Sequence, residues 1–330
     1  MPRRQRVLII ASGGGHTGYG VALAQRLVEK GVDVEFIIPR GDRWTRSKVE
    51  RYGRVAAETT KFMGPRTPLW KGLLKAPAAV LEASRSISSD YDVVVSTGSN
   101  HSIAAALAAR LKGIPVISIE SSVRFTAPSR AARILRRFAR ITALQWPEQK
   151  KLIPEGVVVG PLYEKPEHKP YDGGYILVTT GTYGYKKLFD ALLRIDEEHV
   201  VLQTGRVDPR RYKEARPEWT VFDYDPDLGR WIAGARVVVT HLGKTAIDAA
   251  LTYGKPVVIA PNPEWTLHGA GLRDAEKLAE KLNAVLLPPD KLTPDKLLEA
   301  IREAEKRKPP RHPDGAGRLA EIIVRKEYEA

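Results

Sequence analysis

Short apolar runs alternate with helix-compatible stretches along the whole of this 330-residue chain. Such alternation is typical of βαβ units, in which helices join parallel strands and cover both faces of the sheet. The pattern breaks once, at residues 161–174, where three prolines and two final glycines leave no periodicity. We therefore predict an α/β protein with two doubly wound domains, 1–160 and 175–330, a linker at 161–174, and a ligand in the cleft between the domains.

The strand candidates are the apolar runs between the helical stretches. In the first domain they are Val7–Ile10, Val34–Ile38, Val93–Ser96, Val116–Ile119, Ile141–Gln145 and Val157–Val159. In the second they are Tyr175–Thr180, Val200–Gln203, Thr220–Phe222, Val237–Thr240, Val257–Ile259 and Ala284–Leu287. The pattern leaves open which domain the final helix, Leu319–Lys326, packs on.

The excess positive charge lies in the first half of the chain. Residues 1–160 hold 26 Lys and Arg against 12 Asp and Glu, whereas residues 161–330 hold 27 of each. This asymmetry indicates a face that meets a polyanion or an anionic lipid surface; the alternative is solvated charge without a partner. The cations are not interleaved with a base-stacking or groove-reading module, so we expect no nucleic-acid partner.

The chain has no cysteine, which excludes disulfides and thiolate chemistry and favours an intracellular compartment. No run approaches the roughly 18 apolar residues of a membrane span, and Met1–Arg4 lacks the apolar region of a signal peptide. The 28% of charged residues and the two methionines fit a thermophilic source. We expect a cytoplasmic protein that is at most peripheral on the cytoplasmic face of a membrane.

The first strand leads directly into a glycine-rich turn that carries one histidine. Ser12–Gly18 separates the apolar run Val7–Ile10 from the helix-compatible run Val21–Glu29. The glycines let a ligand approach the backbone, and the helix start offers free N–H groups to an anion. His16 is the group in this turn that can move a proton near neutral pH. The alternative is a tight turn with a solvated histidine.

Two turns of the second domain also have the composition of anion sites. Thr179–Gly184 follows the first strand, and Thr240–Ala246 follows a later strand and opens a helix. The latter combines a glycine, a lysine and a hydroxyl with free N–H groups. It is not a Walker A loop, because Val238 stands where that pattern needs a glycine.

Several of these stretches resemble a known family. The second domain looks like the donor-binding half of inverting, family 28-like GT-B glycosyltransferases of the lipid-linked N-acetylglucosamine type, through Val178–Thr182, Leu202–Gly205, His241–Ala246 and Gly254–Asn262. The first domain is similar to the membrane-associating subunit of the two-subunit enzyme that adds the second N-acetylglucosamine to dolichyl-diphosphate-N-acetylglucosamine, through Ser12–Gly18, Ile119–Arg124 and Gln145–Glu148. The chain thus looks like a fused form of that enzyme. The bacterial transferase that completes the peptidoglycan lipid precursor resembles it more distantly.

The resemblance implies that UDP-N-acetylglucosamine is the donor substrate and binds the second domain without a metal or other cofactor. The diphosphate would meet Gly243, Lys244 and Thr245, and the uracil would lie near the backbone of Tyr224 and Asp225. The remaining expected donor-binding residues are Gly181, Thr182, His241, Asp248, Asn262 and His268.

Two positions depart from the family pattern. The family's ribose-binding glutamate is replaced by Ala249, with Asp248 one residue earlier, and the expected His-Gln pair is His268-Gly269.

The resemblance also implies a polyprenyl- or dolichyl-diphosphate-linked sugar as acceptor, in N-glycan precursor assembly. The expected acceptor-binding residues are Gly13, Gly14, Gly15, Thr17 and Arg124. The first candidate for the general base is His16, and the second is Glu120, which ends a strand and could point into the same cleft. Glu120 could equally anchor Arg124 in a salt bridge.

Two segments of the first domain have apolar faces flanked by cations. An amphipathic helix is predicted from Arg130 to Ile141, with four arginines on one stripe: Arg133, Arg136, Arg137 and Arg140. The other segment combines Trp70, Lys71 and Lys75 with leucines at helical spacing, and Pro77 is expected to end or bend it. Tryptophan and lysine suit a bilayer interface; the alternative is that both apolar faces pack on the sheet.

The sequence therefore favours an inverting, metal-independent glycosyltransferase at an anionic membrane surface. A UDP-sugar epimerase of the same architecture is one alternative, and it would need no lipid acceptor. A basic nucleic-acid- or membrane-binding protein without catalysis is another, and it would not need a phosphate-binding turn.

Overall fold

The computed structural model describes residues 3–64, 67–266 and 270–329. The chain divides into two compact units, Met1–Glu164 with Pro313–Ala330, and Lys165–His312. Each unit contains one parallel sheet with helices on its faces, so the predicted α/β class is confirmed.

Seven parallel strands form the sheet of the first unit, in the order β3-β2-β1-β4-β5-β6-β7 over the described residues. They are β1 (Arg6–Ile10), β2 (Asp33–Pro39), β3 (Arg54–Thr59), β4 (Val93–Ser96), β5 (Val116–Ile119), β6 (Ile141–Leu144) and β7 (Val157–Val158). The winding direction reverses between β1 and β4, which pair in register through Ile9 and Val95. The loops that follow these two strands therefore meet at a topological switch point.

The described part of the second unit has six parallel strands in the order β10-β9-β8-β11-β12-β13. They are β8 (Tyr175–Thr179), β9 (Val200–Gln203), β10 (Thr220–Phe222), β11 (Ala235–Thr240), β12 (Val257–Ile259) and β13 (Val285–Leu286). Here the switch point lies between β8 and β11, where Thr179 pairs with Thr240.

The helices cover both faces of each sheet. Those of the first unit are α1 (Gly15–Glu29), α2 (Arg43–Val49), α3 (Leu69–Ser86), α4 (Ser102–Leu111) and α5 (Arg130–Leu135). Those of the second unit are α6 (Lys186–Leu192), α7 (Arg210–Ala215), α8 (Leu228–Gly234), α9 (Lys244–Ile247), α10 (Pro263–Thr266), α11 (Leu272–Leu282) and α12 (Pro294–Glu305). Finally, α13 (Gly315–Val324) closes the chain, a π-helix (Asp248–Thr252) continues α9, and 3₁₀ turns span Pro147–Lys151, Gly181–Tyr183 and Pro289–Lys291.

Consecutive residues of β1 face two different apolar cores. Val7 and Ile9 belong to the core that includes the apolar side of α1, whereas Leu8 and Ile10 belong to the core beneath α3 and α4. All four side chains are fully buried. Burial on both faces explains why a central parallel strand reads as a continuous apolar run rather than an alternating one.

The twelve predicted strands are confirmed, with ends that differ by no more than two residues. One strand, β3, escaped prediction. Its sequence, Arg-Val-Ala-Ala-Glu-Thr, has a single strongly strand-forming aliphatic residue, and it lies at the edge of the sheet with its first five residues only partly buried or exposed.

The last helix packs with the first unit. The second domain, predicted to extend to residue 330, therefore ends earlier, at His312. The buried residues of α13, including Leu319, Ala320 and Ile323, lie in the same core as those of α1. Arg26 on α1 donates a hydrogen bond to the carboxylate of Asp314, 3.1 Å away, which caps α13. The second unit begins at Lys165 and ends at His312, so the linker predicted at 161–174 is shared between the units.

The amphipathic helix predicted from Arg130 to Ile141 is wrong in length. The helix α5 ends at Leu135, and Ile141 already starts β6. Within α5, the side chains of Ala131, Ala132 and Leu135 are buried, so the apolar side of this helix packs inside the first unit. The arginines of the predicted stripe are exposed at Arg133, Arg136, Arg137 and Arg140. Without a continuous helix they do not form one stripe, because a shared face requires helical spacing throughout.

Candidate functional site

The glycine turn of the first unit has the backbone that its sequence requires. Gly13 and Gly14 have φ angles of +40° and +59°, a region that L side chains rarely adopt. Gly14 is the N-cap of the 15-residue helix α1, and no side chain among the described residues caps it. The first turn also lacks an acidic residue. Its N–H groups and partial positive charge can therefore serve an anion.

His16 lies in the first turn of α1 and is held in one orientation. Its Nδ1 is 2.7 Å from the backbone oxygen of Thr97, and a carbonyl can only accept, so Nδ1 carries the hydrogen. Burial lowers the pKa of His16, and the charges of Arg124 and Lys61 lower it further, against the opposing effect of the Thr97 bond. The ring is therefore neutral at pH 7 and its lone pair is on Nε2, which is the tautomer that a general base needs.

The predicted acceptor residue Thr17 is buried. Its hydroxyl lies 3.1 Å from that of Thr45, which also accepts the Gly13 N–H at 3.1 Å. Asp42 in turn accepts from the Thr45 hydroxyl at 2.8 Å. Thr17 and Thr45 thus brace the turn from within, while Gly14 is exposed on it.

Glu120 is fully buried at the end of β5, and both of its carboxylate oxygens accept backbone hydrogens. One takes the N–H of Ser121 at 2.6 Å and the other that of Ser129 at 2.8 Å. Burial raises the pKa of Glu120, and these hydrogen bonds oppose the rise. The carboxylate closes the loop 120–129 on itself, so it can position the loop as well as act in chemistry.

Residues at and directly after the Gln145–Glu148 stretch form hydrogen bonds to the backbone of the loop 120–129. Trp146 Nε1 donates to Ser122 O at 2.8 Å, and Gln149 donates to the backbone oxygens of Ser121 and Arg124 at 2.8 and 2.9 Å. The Tyr19 hydroxyl contacts the Ser122 hydroxyl at 2.6 Å. The two stretches that carried the resemblance in this region therefore form one buried hydrogen-bonded framework, which fixes the backbone at Arg124.

The turn after β4 was missed by the sequence reasoning. Gly98 has a φ of +82°, and a Cβ there would lie 2.3 Å from the oxygen of Ile119. This turn supplies the Thr97 oxygen that orients His16. It also carries His101, whose Nε2 lies 2.8 Å from the Thr59 hydroxyl. The signal was present in the sequence as a second glycine directly after a strand at the switch point.

In the second unit, two glycine turns pack backbone against backbone. A Cβ on Gly205 would lie 2.4 Å from Gly181 O, and one on Gly184 would lie 2.4 Å from Thr204 O. The N–H of Arg206 donates to Thr182 O at 2.9 Å. The predicted donor residues Gly181 and Thr182 are thus held by the turn that follows β9.

The ring of His241 lies between two glycines at the end of β11. A Cβ on Gly181 would come within 3.1 Å of the ring, and one on Gly243 within 2.8 Å. Burial lowers the pKa of His241 to about 4, so the imidazole is neutral at pH 7. The sequence predicts three separate donor-binding residues here. In the structure they lie next to one another: Gly181, His241 and Gly243.

Lys244 and Asp248 form an ion pair that is almost fully buried. Asp248 starts the π-helix Asp248–Thr252, in which one turn holds an extra residue, and Ala249 is buried. The neighbouring Thr245 is half-buried. The departure from the family pattern at Ala249 thus coincides with a local change of helix type, and the carboxylate of Asp248 faces the lysine.

Three buried polar atoms directly at the carboxyl ends of β8 and β11, and the hydroxyl at the end of the turn after β8, have no hydrogen-bond partner in the part of the chain that the structure describes. They are Thr180 Oγ1, Tyr185 OH, Thr240 Oγ1 and His241 Nδ1. Buried polar atoms are almost always paired, so a group of such atoms at one sheet edge indicates a place where a ligand binds. The hydroxyls of Thr180, Tyr185 and Thr240 were not predicted from sequence, although each stands in or next to a strand-ending turn.

The other predicted donor residues lie on neighbouring loops. Asn262 is buried and donates to Gly184 O at 3.3 Å. The Asp225 carboxylate accepts from Trp231 Nε1 at 2.9 Å and from the Arg230 guanidinium at 2.6 Å, which shapes the loop after β10. Tyr224 lies on that same loop, and His268 lies outside the described residues.

One cluster offers ligand atoms of the kind that metals bind. Glu167, His168 and Asp227 bring three such atoms within 4.8 Å of one another. His168 Nε2 lies 2.9 Å from both oxygens of Asp227. An ordinary hydrogen bond accounts for this contact, and it holds the first residues of the second unit to the start of α8.

The helix α3 presents an apolar stripe to solvent. Trp70 and Leu74 are 60% and 74% exposed, and Leu81 lies on the same face at 53%. The Lys71 ammonium is 5.2 Å from the centre of the Trp70 ring, and Lys75 is exposed beside it. The helix continues through Pro77. Among the described residues, no helix is long and apolar enough to cross a membrane.

Comparison with protein families gives two matches. Residues 175–318 match the glycosyltransferase family 28 C-terminal domain, and residues 14–147 match a glycosyl transferase 4-like domain.

The chain is similar to a protein of Myxococcus xanthus named UDP-N-acetylglucosamine N-acetylmuramyl-(pentapeptide) pyrophosphoryl-undecaprenol N-acetylglucosamine transferase. The two sequences are 26% identical over 325 residues, and the alignment covers 90% of this chain and 84% of that protein. This name gives an undecaprenol-linked muramyl acceptor, so the predicted N-glycan assignment is not supported by it.

Solved structures show the same architecture. The MurG protein of Acinetobacter baumannii has a TM-score of 0.65 at 19% identity, covering 97% of this chain and 99% of that chain. A UDP-GlcNAc 2-epimerase from Neisseria meningitidis, solved with UDP-GlcNAc, has a TM-score of 0.59 at 12% identity, covering 99% and 100%. The fold of the chain is therefore GT-B, and it does not by itself separate transfer from epimerisation.

Proposed function

We propose that this protein is an inverting glycosyltransferase that moves N-acetylglucosamine from UDP to a sugar on a polyprenyl diphosphate. The observation that carries the proposal is the family 28 domain with its group of buried, unpartnered polar atoms near the ends of β8 and β11. A glycosyltransferase needs a nucleotide-sugar site at this edge, whereas a lipid-binding scaffold does not.

The donor is UDP-N-acetylglucosamine, as the name of the Myxococcus xanthus relative supports. The diphosphate meets the backbone at Gly243 and the ammonium of Lys244. Lys244 is held by Asp248 in the free protein, and an arriving diphosphate competes with that carboxylate for it. Positive charge and N–H groups stabilise the departing UDP, so no metal is needed.

In the transfer, the acceptor hydroxyl oxygen attacks the anomeric carbon of the donor sugar, and the bond from that carbon to UDP breaks. His16 Nε2 takes the hydroxyl proton. Two observations support this role: Thr97 holds the Nδ1 hydrogen, which leaves the lone pair on Nε2, and the lowered pKa keeps the ring neutral at pH 7. Glu120 positions the loop 120–129, because both of its oxygens already accept backbone hydrogens.

The acceptor carries a diphosphate, since positive charges of the first unit act on the base. Arg124 and Lys61 both act electrostatically on His16, and the uncapped start of α1 adds N–H donors at Gly15 and beyond. Phosphate oxygens match this set of groups. The relative favours a muramyl-pentapeptide sugar on the lipid over the dolichol-linked sugar of N-glycan assembly.

The stripe on α3 meets the membrane that holds such an acceptor. It combines Trp70, Leu74 and Leu81 with Lys71 and Lys75, and an exposed apolar face with flanking cations suits an anionic bilayer surface. The first half of the chain carries all of the net positive charge, which adds long-range attraction to the same surface.

The proposal is tested by UDP release from UDP-N-acetylglucosamine with two acceptors on anionic vesicles: a polyprenyl-diphosphate muramyl pentapeptide and a polyprenyl-diphosphate N-acetylglucosamine. We expect UDP release and an extended lipid product with one of them. Conversion of UDP-N-acetylglucosamine to an isomer without acceptor, or no binding of UDP-sugar, would overturn the proposal.

The His16→Ala variant is expected to lose about 10²- to 10⁴-fold in kcat while its affinity for UDP stays unchanged. Glu120→Gln serves as the comparison, because it tests whether the loop rather than the proton transfer limits the rate. Near-normal turnover in both variants contradicts the assignment of the base.

A further inference from the structure

The Tyr185 hydroxyl is a buried group without a hydrogen-bond partner among the described residues. The side chain is 6% exposed, and its ring belongs to the apolar core of the second unit with Leu188 and Phe189. A buried hydroxyl without a partner destabilises the folded state, and phenylalanine would fill the same space without this loss.

The loop after β12 packs against the turn that carries Tyr185. Asn262 donates to the oxygen of Gly184, the residue before Tyr185, and also accepts the N–H of Glu264 at 3.0 Å. Burial raises the pKa of Tyr185, and the negative charge of Glu264 raises it further. The phenol therefore stays protonated and acts as a hydrogen-bond donor, while the exposed carboxylate of Glu264 acts as an acceptor.

The strand order gives the direction in which a bound nucleotide sugar extends. The candidate uracil residues, Tyr224 and Asp225, follow β10, and the candidate diphosphate residues Gly243–Thr245 follow β11. These strands are three steps apart in the sheet, which is about 14 Å at the usual strand spacing. The next strand in the same direction is β12, and Asn262 after it bonds to the turn that carries Tyr185. A sugar attached to the second phosphate therefore reaches this corner.

We propose that the Tyr185 hydroxyl binds the sugar of the nucleotide-sugar donor and contributes to its selection. The O–H donates to an oxygen of the sugar or its acetamido group, which gives the buried hydroxyl its partner. This inference rests on the proposed function and adds to it a residue that contacts the sugar but not the nucleotide.

Isothermal titration calorimetry of the full chain tests the proposal with UDP-N-acetylglucosamine, UDP-glucose and UDP. Tyr185→Phe removes the O–H and leaves the ring in the core. One neutral hydrogen bond predicts a three- to tenfold loss of affinity for UDP-N-acetylglucosamine and a change of less than twofold for UDP. The urea midpoint of Tyr185→Phe should not fall, since no internal hydrogen bond is lost.

Tyr212→Phe is the matched control, because Tyr212 is also buried in this core but its hydroxyl already donates to Asp190, 3.2 Å away. It should lower the urea midpoint and leave both affinities unchanged. Equal losses for UDP and UDP-N-acetylglucosamine in Tyr185→Phe, or no loss for either, overturn the role in sugar binding.

The two proposals fail in different ways. If the wild-type chain binds UDP-N-acetylglucosamine and Tyr185→Phe weakens it selectively, but no acceptor is extended, the proposed transfer fails and the sugar contact stands. If transfer occurs and Tyr185→Phe binds the donor like the wild type, the sugar contact fails alone. If the wild type binds no UDP-sugar, both fail.

Discussion

Acidification should destabilise the first unit through His101. This residue is 2% exposed; its Nε2 contacts the Thr59 hydroxyl at 2.8 Å, and its Nδ1 has no partner in the described structure. A second proton would create a buried, unpaired N–H group. Burial accordingly lowers the pKa of His101 to about 4; Lys61 adds to the decrease, whereas the Thr59 bond, Asp42 and Glu82 oppose it.

The direction of the effect follows from the proton balance. An unfolded histidine has a pKa of about 6.5, so between pH 6.5 and 4 the unfolded chain binds a proton that the folded chain does not. The free energy of unfolding is therefore undiminished above pH 6.5 and falls as the pH decreases. These two pKa values give a loss of about 2 kcal/mol at pH 5 and about 3 kcal/mol at pH 4.

The measurement compares the wild type with His101→Gln, which keeps a polar contact for Thr59 but does not titrate. Urea unfolding at pH 7 and pH 5 is followed by hydrogen exchange in β4 and α4, so that the first unit is observed separately. We expect the difference in unfolding free energy between the two proteins to shift by about 2 kcal/mol in favour of the variant at pH 5. The exposed His199 provides the control, His199→Gln. A difference that is the same at both pH values would refute the reasoning.

Three further substitutions test other parts of the structure. Leu319→Ala should destabilise the first unit by about 3 kcal/mol, because a fully buried leucine is lost from the core shared by α1 and α13, and hydrogen exchange in the second unit should not change. Trp70→Ser with Leu74→Ser should lower binding to anionic vesicles at least about tenfold without lowering the urea midpoint, since both side chains are exposed; unchanged co-sedimentation contradicts the membrane stripe. Lys244→Met combined with Asp248→Asn should weaken UDP about tenfold or more and leave uridine unaffected, and calorimetry showing equal losses would argue against a phosphate contact.

The strands of both sheets could be predicted from the sequence because burial on both faces leaves a continuous apolar run. β4 and β5 consist of such runs, and both were located at their exact ends. The turn at Ser12–Gly18 could also be predicted, since positive φ angles at Gly13 and Gly14 require glycine. Local chemistry alone specifies these features.

Other features depend on contacts that are distant in sequence. The apolar side of α13 fits either domain by composition, and only the core beside α1 decides between them. The arginines after α5 have helical spacing, but β6 begins too soon for the helix to continue. In both cases tertiary packing outweighs local pattern.

The candidate site divides in the same way. The sequence by itself determined which residue types stand after which strands: a histidine after glycines at the end of β1, and a glycine and a lysine at the end of β11. Only the tertiary structure decided their states. Thr97 selects the tautomer of His16, Asp248 pairs with Lys244, and the core leaves the Tyr185 hydroxyl unpartnered. The physical reason is that protonation, pairing and burial depend on neighbours brought together by folding, whereas strand, turn and glycine requirements depend on adjacent residues.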